Sequence, residues 1–231
     1  MARIDIISGG QRYADPWHPF SATSKAMAGL LATRDHHVSI SDNPDKAFAG
    51  LVDDSARPEL LIVNIGNPAD GLPTPEAAEG IKTYTGAGHP LLAMHSSLTA
   101  FPQWDEWEEV LGGRWVRGVS MHPPKDKASI RILPSGHPAA QGMPPAFDVH
   151  DERYSYLRTE PGVHVLAEHD HDGLSHPLVW VNQQGSSEVA CDALGHDEDS
   201  YSAPGRVALL LSVVDWLLRE RQADRPAESE V

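Results

Sequence analysis

The chain has 231 residues, with 18 Lys and Arg against 33 Asp and Glu and a formal net charge of −15. So acidic a balance argues against nucleic acid or an anionic membrane surface as partner, since both need a basic face. The 40% apolar fraction suits one globular α/β domain, and a single cysteine excludes a disulfide framework and a multi-cysteine zinc site.

Ile4 to Ile7 reads as a short buried strand closed by the turn residues Ser8-Gly9-Gly10. Ser21 is placed to cap a helix over about Ala22–Thr33, where Met27, Leu30 and Leu31 recur at helical spacing. His37 to Ile40 is a second strand. Asn43-Pro44 pairs a cap with a proline at the first helical position and opens a helix to about Leu51. Leu60 to Val63 is a third strand, apolar throughout as expected when both faces are covered. Thr74-Pro75-Glu76 starts a helix to about Tyr84, and Leu91 to Met94 is a fourth strand ending at His95-Ser96-Ser97. Strands spaced by helices imply parallel, right-handed crossovers.

After Gly112-Gly113 the texture changes. Trp115–Met121, Ala128–Leu133, Val163–Ala167, Leu178–Val181 and Glu188–Leu194 read as strands punctuated by Pro and Gly. Ala203 to Arg221 is an amphipathic helix with Val207, Leu210, Leu211, Val214, Leu217 and Leu218 on one face. The expected organisation is a single domain over 1–221 and a polar, frayed tail over 222–231. The N-terminus runs directly into a strand with no signal pattern, so a cytoplasmic location is expected. No apolar run approaches the roughly 20 residues of a membrane span.

In open α/β sheets ligands bind beyond the carboxyl ends of the strands. That rule gathers Gly9-Gly10 with the loop through His18, the Gly66–Pro73 loop, and His95-Ser96-Ser97 onto one rim. His95 is the sharpest candidate, because a strand–turn–helix junction is expected to expose its side chain as a nucleophile elbow does. Asp151-Glu152 and His196-Asp197-Glu198-Asp199 each place acid, base or ligand groups at an element end, where a cap or turn role competes. His169-Asp170-His171-Asp172 resembles a metal tract but precedes Gly173, so a solvated hairpin turn is expected. His18-Pro19, His122-Pro123, His137-Pro138 and His176-Pro177 read as turns. Cys191, inside an apolar run, reads as a small core residue.

These segments, in their order and spacing, resemble the ThuA-like (trehalose utilisation) family, a branch of the class I glutamine-amidotransferase-like superfamily. The likeness runs from about Ile4 to Leu217. It is carried by Gly9-Gly10 with His18-Pro19-Phe20, by Leu92 to Ser97, by His122-Pro123 and by Phe147 to Tyr154. It continues in His176-Pro177-Leu178-Val179-Trp180 and is strongest over Ala193 to Tyr201. The resemblance implies a flavodoxin-like parallel sheet with helices on both faces and a strand-rich C-terminal half. Amidotransferases carry a cysteine at the elbow and a His-x-Glu pair after a late strand; here His95 and His196-x-Glu198 stand at those places. Imidazole cannot form the glutamyl thioester, so glutamine hydrolysis is not expected.

Two functions remain open at this level. One is a sugar-processing enzyme, a hydrolase, lyase or isomerase acting on trehalose, another disaccharide or a 3-keto-glycoside. It would use His95, Glu152, His196 and Asp197 in catalysis, with Gly10, His18, Ser96, His122 and Tyr154 contacting substrate. The alternative is a non-catalytic sugar-binding or assembly protein on a degenerate amidotransferase scaffold, with Trp17, Trp104, Trp107 and Tyr154 as stacking surfaces. No cofactor is demanded, though a divalent metal such as zinc would suit His18, His95, His122 and His196 if they converge. A carbohydrate is the expected partner, and a homo-oligomer stays open.

Overall fold

Leu60–Asn64 and Leu91–Met94 are buried at every position, so these strands must lie inside a sheet covered on both faces. The computed structural model, which describes residues 1–223, puts them there. In chain order the elements begin with β1 (Arg3–Ser8), α1 (Phe20–Ala32), β2 (His37–Ser41), α2 (Pro44–Ala49) and β3 (Leu60–Asn64). Next come α3 (Pro75–Gly86), β4 (Leu91–Met94), α4 (Asp105–Leu111), β5 (Gly113–Arg114) and β6 (Asp126–Ile132). The chain closes with β7 (Ala146–Asp151), β8 (Arg158–Thr159), β9 (His164–His171), β10 (Leu174–Gln184), β11 (Ser187–Asp192) and α5 (Pro204–Ala223).

Nine strands form one sheet in the order β2-β1-β3-β4-β11-β10-β9-β6-β7. Those from β2 to β11 pair in parallel, Leu61 lying against Leu91 and Ala190 against Leu92. The rest pair antiparallel. The strand order reverses direction at β1, so right-handed crossovers put α1 on one face and α2 with α3 on the other. This is the flavodoxin-like, amidotransferase-like α/β fold, with the strand-rich half continuing the sheet.

That second half is bent rather than flat. Pro177 lies inside β10, where the register against β9 shifts twice, and a bulge is the place a strand interior tolerates proline. His176-Pro177 is therefore strand and not turn. β6 meets β9 through only two residue pairs, Arg131–Glu168 and Ile132–Ala167. β7 consequently curls back onto α5 and the 198–202 turn instead of extending the sheet outward. Its end, Asp151, thereby returns to the exit of β11.

Local chemistry explains the differences from expectation. The α1 cap is Pro19 with no side-chain bond, not Ser21, and the helix begins at Phe20. Asn43 and Thr74 do cap, accepting the backbone N–H of Lys46 and Ala77. Trp115 to Ser120 is a loop, not a strand: its backbone spends itself on local turns such as Val119 and Ser120 onto Val116, leaving one bridge from Met121 to Ser155. Helix α4 and strand β7 are not expected from the sequence, α4 being short and acid-rich. Helix α5 is buried around most of its girth, with Leu209, Val213 and Trp216 joining the expected stripe, because β7, β11, α1 and the 138–140 turn all touch it. Residues 224–231 of the expected tail lie outside the described residues. No helix among the described residues is long and apolar enough to cross a membrane.

Arg206, fully buried near the start of α5, pairs at 2.9 Å with the equally buried Asp192 at the end of β11. Its guanidinium lies 5.5 Å from the Tyr201 ring centroid. Burial pushes the Asp192 carboxyl up despite the arginine. Removing one partner strands the other, so Arg206→Met is expected to cost about 3–5 kcal/mol in urea unfolding, and Asp192→Asn in the same chain to recover most of it. Additive losses in the double variant would show that the pair is not coupled.

Candidate active site

Three parallel strands and the returning edge deliver four side chains to one point. His18 sits in the loop after β1, His95 follows β4, His196 follows β11 and Glu152 follows β7. One donor atom from each lies within 4.8 Å of every other. β4 and β11 are hydrogen-bonded neighbours, Met94 beside Asp192, so strands that pair must release His95 and His196 together. Their ring centroids are 5.5 Å apart, and His18 stands 5.1 Å from one and 5.0 Å from the other.

Two of the three histidines are oriented by a second partner. Asp15 accepts the backbone N–H groups of Trp17 and His18, an Asx turn, and its carboxylate holds the His18 Nδ1 at 2.8 Å. Burial would raise the Asp15 carboxyl, but its bonds to His18 outweigh that and hold it low. His95 adopts φ +37°, a left-handed backbone uncommon for a non-glycine residue. The strained elbow turns the ring inward, so His95 is buried, not exposed as a nucleophile would be. Its Nδ1 donates to the Ala193 carbonyl at 2.7 Å, which leaves Nε2 as the free lone pair. That atom and His196 Nδ1 are buried without a hydrogen-bond partner. Gly195, at φ +108° with Tyr201 against it, makes the turn that delivers His196.

Glu152 closes the cluster. Its Oε2 lies 3.2 Å from His196 Nδ1 and 3.6 Å from His95 Nε2, and its Oε1 lies 3.5 Å from His122 Nδ1. Burial would raise its carboxyl, but His196 and His95 more than offset this and hold it far below the usual carboxylate range. Conversely, Glu152 raises His196. Burial lowers His18 against the pull of Asp15 and favours a neutral ring, the form that ligates metal. The residues therefore fit a divalent ion: three imidazoles and a carboxylate, two of the rings fixed by an acceptor on the far nitrogen.

A cleft of about 830 Å³ opens over the cluster, lined by Asp15, Trp17, His18, Asn67, Thr99, Trp115, Arg117, His122, Glu152, Tyr154 and His196 among others. Tyr154 stacks on His95 with centroids 4.3 Å apart, and Trp115 meets Tyr154 edge-on at 4.7 Å. His122 belongs to the cleft wall and not to the four-atom cluster. Gly10, Ser96 and Asp197 are not brought in. The Gly10 carbonyl accepts the Tyr13 N–H, Ser96 Oγ donates to the Ile65 carbonyl, and Asp197 pairs with Lys125 while accepting the Asp199 N–H. Trp104 and Trp107 are core residues, whereas Trp17 is 71% exposed at the rim. Cys191 is buried, its thiol pushed well up by burial, and it donates to the Leu111 carbonyl.

Sequence reasoning misses Asp15, Asn67, Trp115 and Arg117. Only Asp15 leaves a signal, an aspartate three residues before a histidine around a proline. The expected solvated turn at His169 is also corrected. Here His169 is buried in β9, and its Nε2 donates to the Tyr154 carbonyl at 3.1 Å, holding the segment that follows Glu152.

A family model described as ThuA, trehalose utilisation, matches residues 10–217. A ThuA-like protein from Parabacteroides merdae ATCC 43184 superposes with a TM-score of 0.78 at 18% identity, over 95% of this chain and 90% of that one. A second, from Bacteroides uniformis ATCC 8492, gives 0.74 at 14% identity over 93% and 90%. A GMP synthase component from Thermoplasma acidophilum gives 0.60 at 11% identity over 98% of both chains. No curated protein matches the sequence.

Burial drives the His169 imidazole down to about 4. The unfolded ring titrates near 6.5, so the unfolded chain takes up a proton first, and stability present above that pH is lost as the pH falls toward 4. Between pH 7 and 5 the expected loss from this ring is about 2 kcal/mol. Urea midpoints of wild type and His169→Gln at both pH values check this: the variant should lose less on acidification. An equal loss in both would contradict it.

Proposed function

Because the chain belongs to the ThuA, trehalose utilisation, family, we propose that it is an enzyme of carbohydrate metabolism that binds a sugar above a divalent cation held by His18, His95, Glu152 and His196. The observation that carries this reading is that two buried imidazole nitrogens, His95 Nε2 and His196 Nδ1, make no well-formed hydrogen bond and converge on one oxygen of Glu152, at 3.6 and 3.2 Å. Buried nitrogens that share a single carboxylate oxygen without good hydrogen-bond geometry cost stability unless something occupies the space between them.

A divalent ion held there would supply Lewis acidity to a sugar oxygen. The remaining chemistry falls to the cleft wall. His122 Nδ1 lies 3.0 Å from the Pro123 carbonyl, which can only accept, so the proton sits on Nδ1 and Nε2 carries the lone pair. That nitrogen takes a proton from the carbon beside a sugar carbonyl. Returning the proton to the former carbonyl carbon, while the hydroxyl proton of the first carbon passes to the former carbonyl oxygen, isomerises the sugar. Passing it to the departing glycosidic oxygen cleaves a keto-glycoside by elimination. Both steps balance without an outside reductant or oxidant. Tyr154 buttresses His95 and is itself backed by Trp115, and Trp17 offers a ring face at the rim for a pyranose. Thiolate chemistry on glutamine has no support in this site, since the elbow presents imidazole and Cys191 is sealed in the core.

The test is a panel of trehalose and other disaccharides, each with its 3-keto derivative, assayed with zinc and with chelator. Turnover of the keto compounds is expected, abolished by chelator and restored by zinc, with His122→Gln lowering kcat about 100-fold or more at unchanged zinc content. No turnover of any compound would overturn the catalytic reading. Thermal stabilisation by sugars without product would then favour a binding protein on the same scaffold.

A further inference from the structure

Resting on the metal reading above, we infer that the substrate carries a carboxylate, as a uronic or aldonic acid does, and that Arg117 receives it. Arg117 lines the same cleft as His122, Glu152 and His196, in the loop that follows β5. In this acid-rich chain most of the other described arginines pair with carboxylates: Arg12 with Asp45 and Asp70, Arg114 and Arg158 with Glu108, Arg153 with Asp126, Arg206 with Asp192. Among the described residues Arg117 forms no ion pair. Its partner is a neutral oxygen: with the Asn67 amide oriented to satisfy both its ends, the side-chain oxygen accepts from Arg117 Nη2 at 2.9 Å, and the amide nitrogen donates to the Pro68 carbonyl at 3.2 Å. Asn67 thus fixes the guanidinium over the cleft without neutralising it.

The electrostatics select an anion. The lining carboxylates, Asp15 and Glu152, are spent on His18 and on the metal cluster. With a divalent ion present and the imidazoles neutral, the lining keeps a net positive charge between the cation and Arg117. A neutral sugar has no use for the second charge. A sugar acid spans both, an oxygen of its ring or chain toward the cation and its carboxylate on the remaining N–H groups of the guanidinium fork. A planar monoanion suits one arginine. A phosphate has three oxygens to satisfy and would call for further donors, and the cleft lining contains no lysine and no second arginine.

Isothermal titration of the zinc-loaded full chain with D-glucuronate, methyl α-D-glucoside and glucose 6-phosphate tests this, with zinc content measured in the same samples. Glucuronate is expected to bind at least about tenfold tighter than the glucoside. Arg117→Gln should erase the difference with zinc unchanged, and Arg117→Lys should restore part of it. Equal affinities in wild type, a preference that survives Arg117→Gln, or tighter binding of the phosphate would each overturn the inference. One zinc per chain without a glucuronate preference removes the carboxylate subsite and leaves the metal reading intact. Absence of zinc removes the metal reading, and the Arg117-dependent preference then decides the subsite by itself.

Discussion

The candidate site depends on one buried carboxylate that does not line the cleft. Asp151, at the end of β7, is fully buried and accepts the backbone N–H groups of Gly195 at 2.7 Å and His196 at 3.1 Å. It also accepts the N–H of its neighbour Glu152 at 2.9 Å. Charge-assisted bonds of this kind are roughly twice as strong as neutral ones. Through them the far edge of the sheet is fastened to the exit of β11, so the residue after Asp151 and the residue after Gly195 must face each other. The Glu152–His196 contact follows from that clamp.

The clamp matters because the parallel and antiparallel halves of the sheet supply different things. The parallel half gives rigid strand ends: β4 and β11 side by side, β1 beyond β3, each releasing one imidazole at the same rim. It offers no acid to the cluster of His18, His95 and His196. The antiparallel half supplies Glu152, Tyr154 and His122, and can do so only because the sheet bends at Pro177 and parts at the short β6–β9 contact. A flat nine-stranded sheet would hold β7 four strands away from β11. Strain is accepted at His95 so that its ring turns inward, and the Ala193 carbonyl and the Tyr154 ring hold it there.

How much of this is legible in the sequence follows from what each signal encodes. Apolar runs ending in turn residues announce buried strands and their carboxyl ends, so His95 stands out from the residues themselves, whereas His196 competes with a cap or turn role and is raised by the family resemblance, which is strongest over Ala193 to Tyr201. Asp-Glu at 151–152 is visible too, but a carboxylate at an element end has a common role as a cap, and nothing local reveals that β7 folds back. The same blindness explains Trp115 to Ser120, where β-favouring residues spend their backbone on turns because they have to wrap the cleft. It explains His169 as well: a His-Asp repeat near a glycine looks like surface, yet its burial is decided by the bend between β9 and β10. Arg117 carries no pattern at all. Its meaning comes from lacking a carboxylate in a chain that has many.

The central claim is that His18, His95, Glu152 and His196 form one metal-binding unit oriented by Asp15 and the Ala193 carbonyl. X-ray absorption at the zinc edge on stoichiometrically loaded protein measures this directly. The account predicts a first shell of three imidazole nitrogens and carboxylate oxygen at about 2.0–2.2 Å, with one nitrogen lost in His196→Ala. A shell made only of oxygens, or a spectrum that the His196→Ala substitution leaves unchanged, would contradict it.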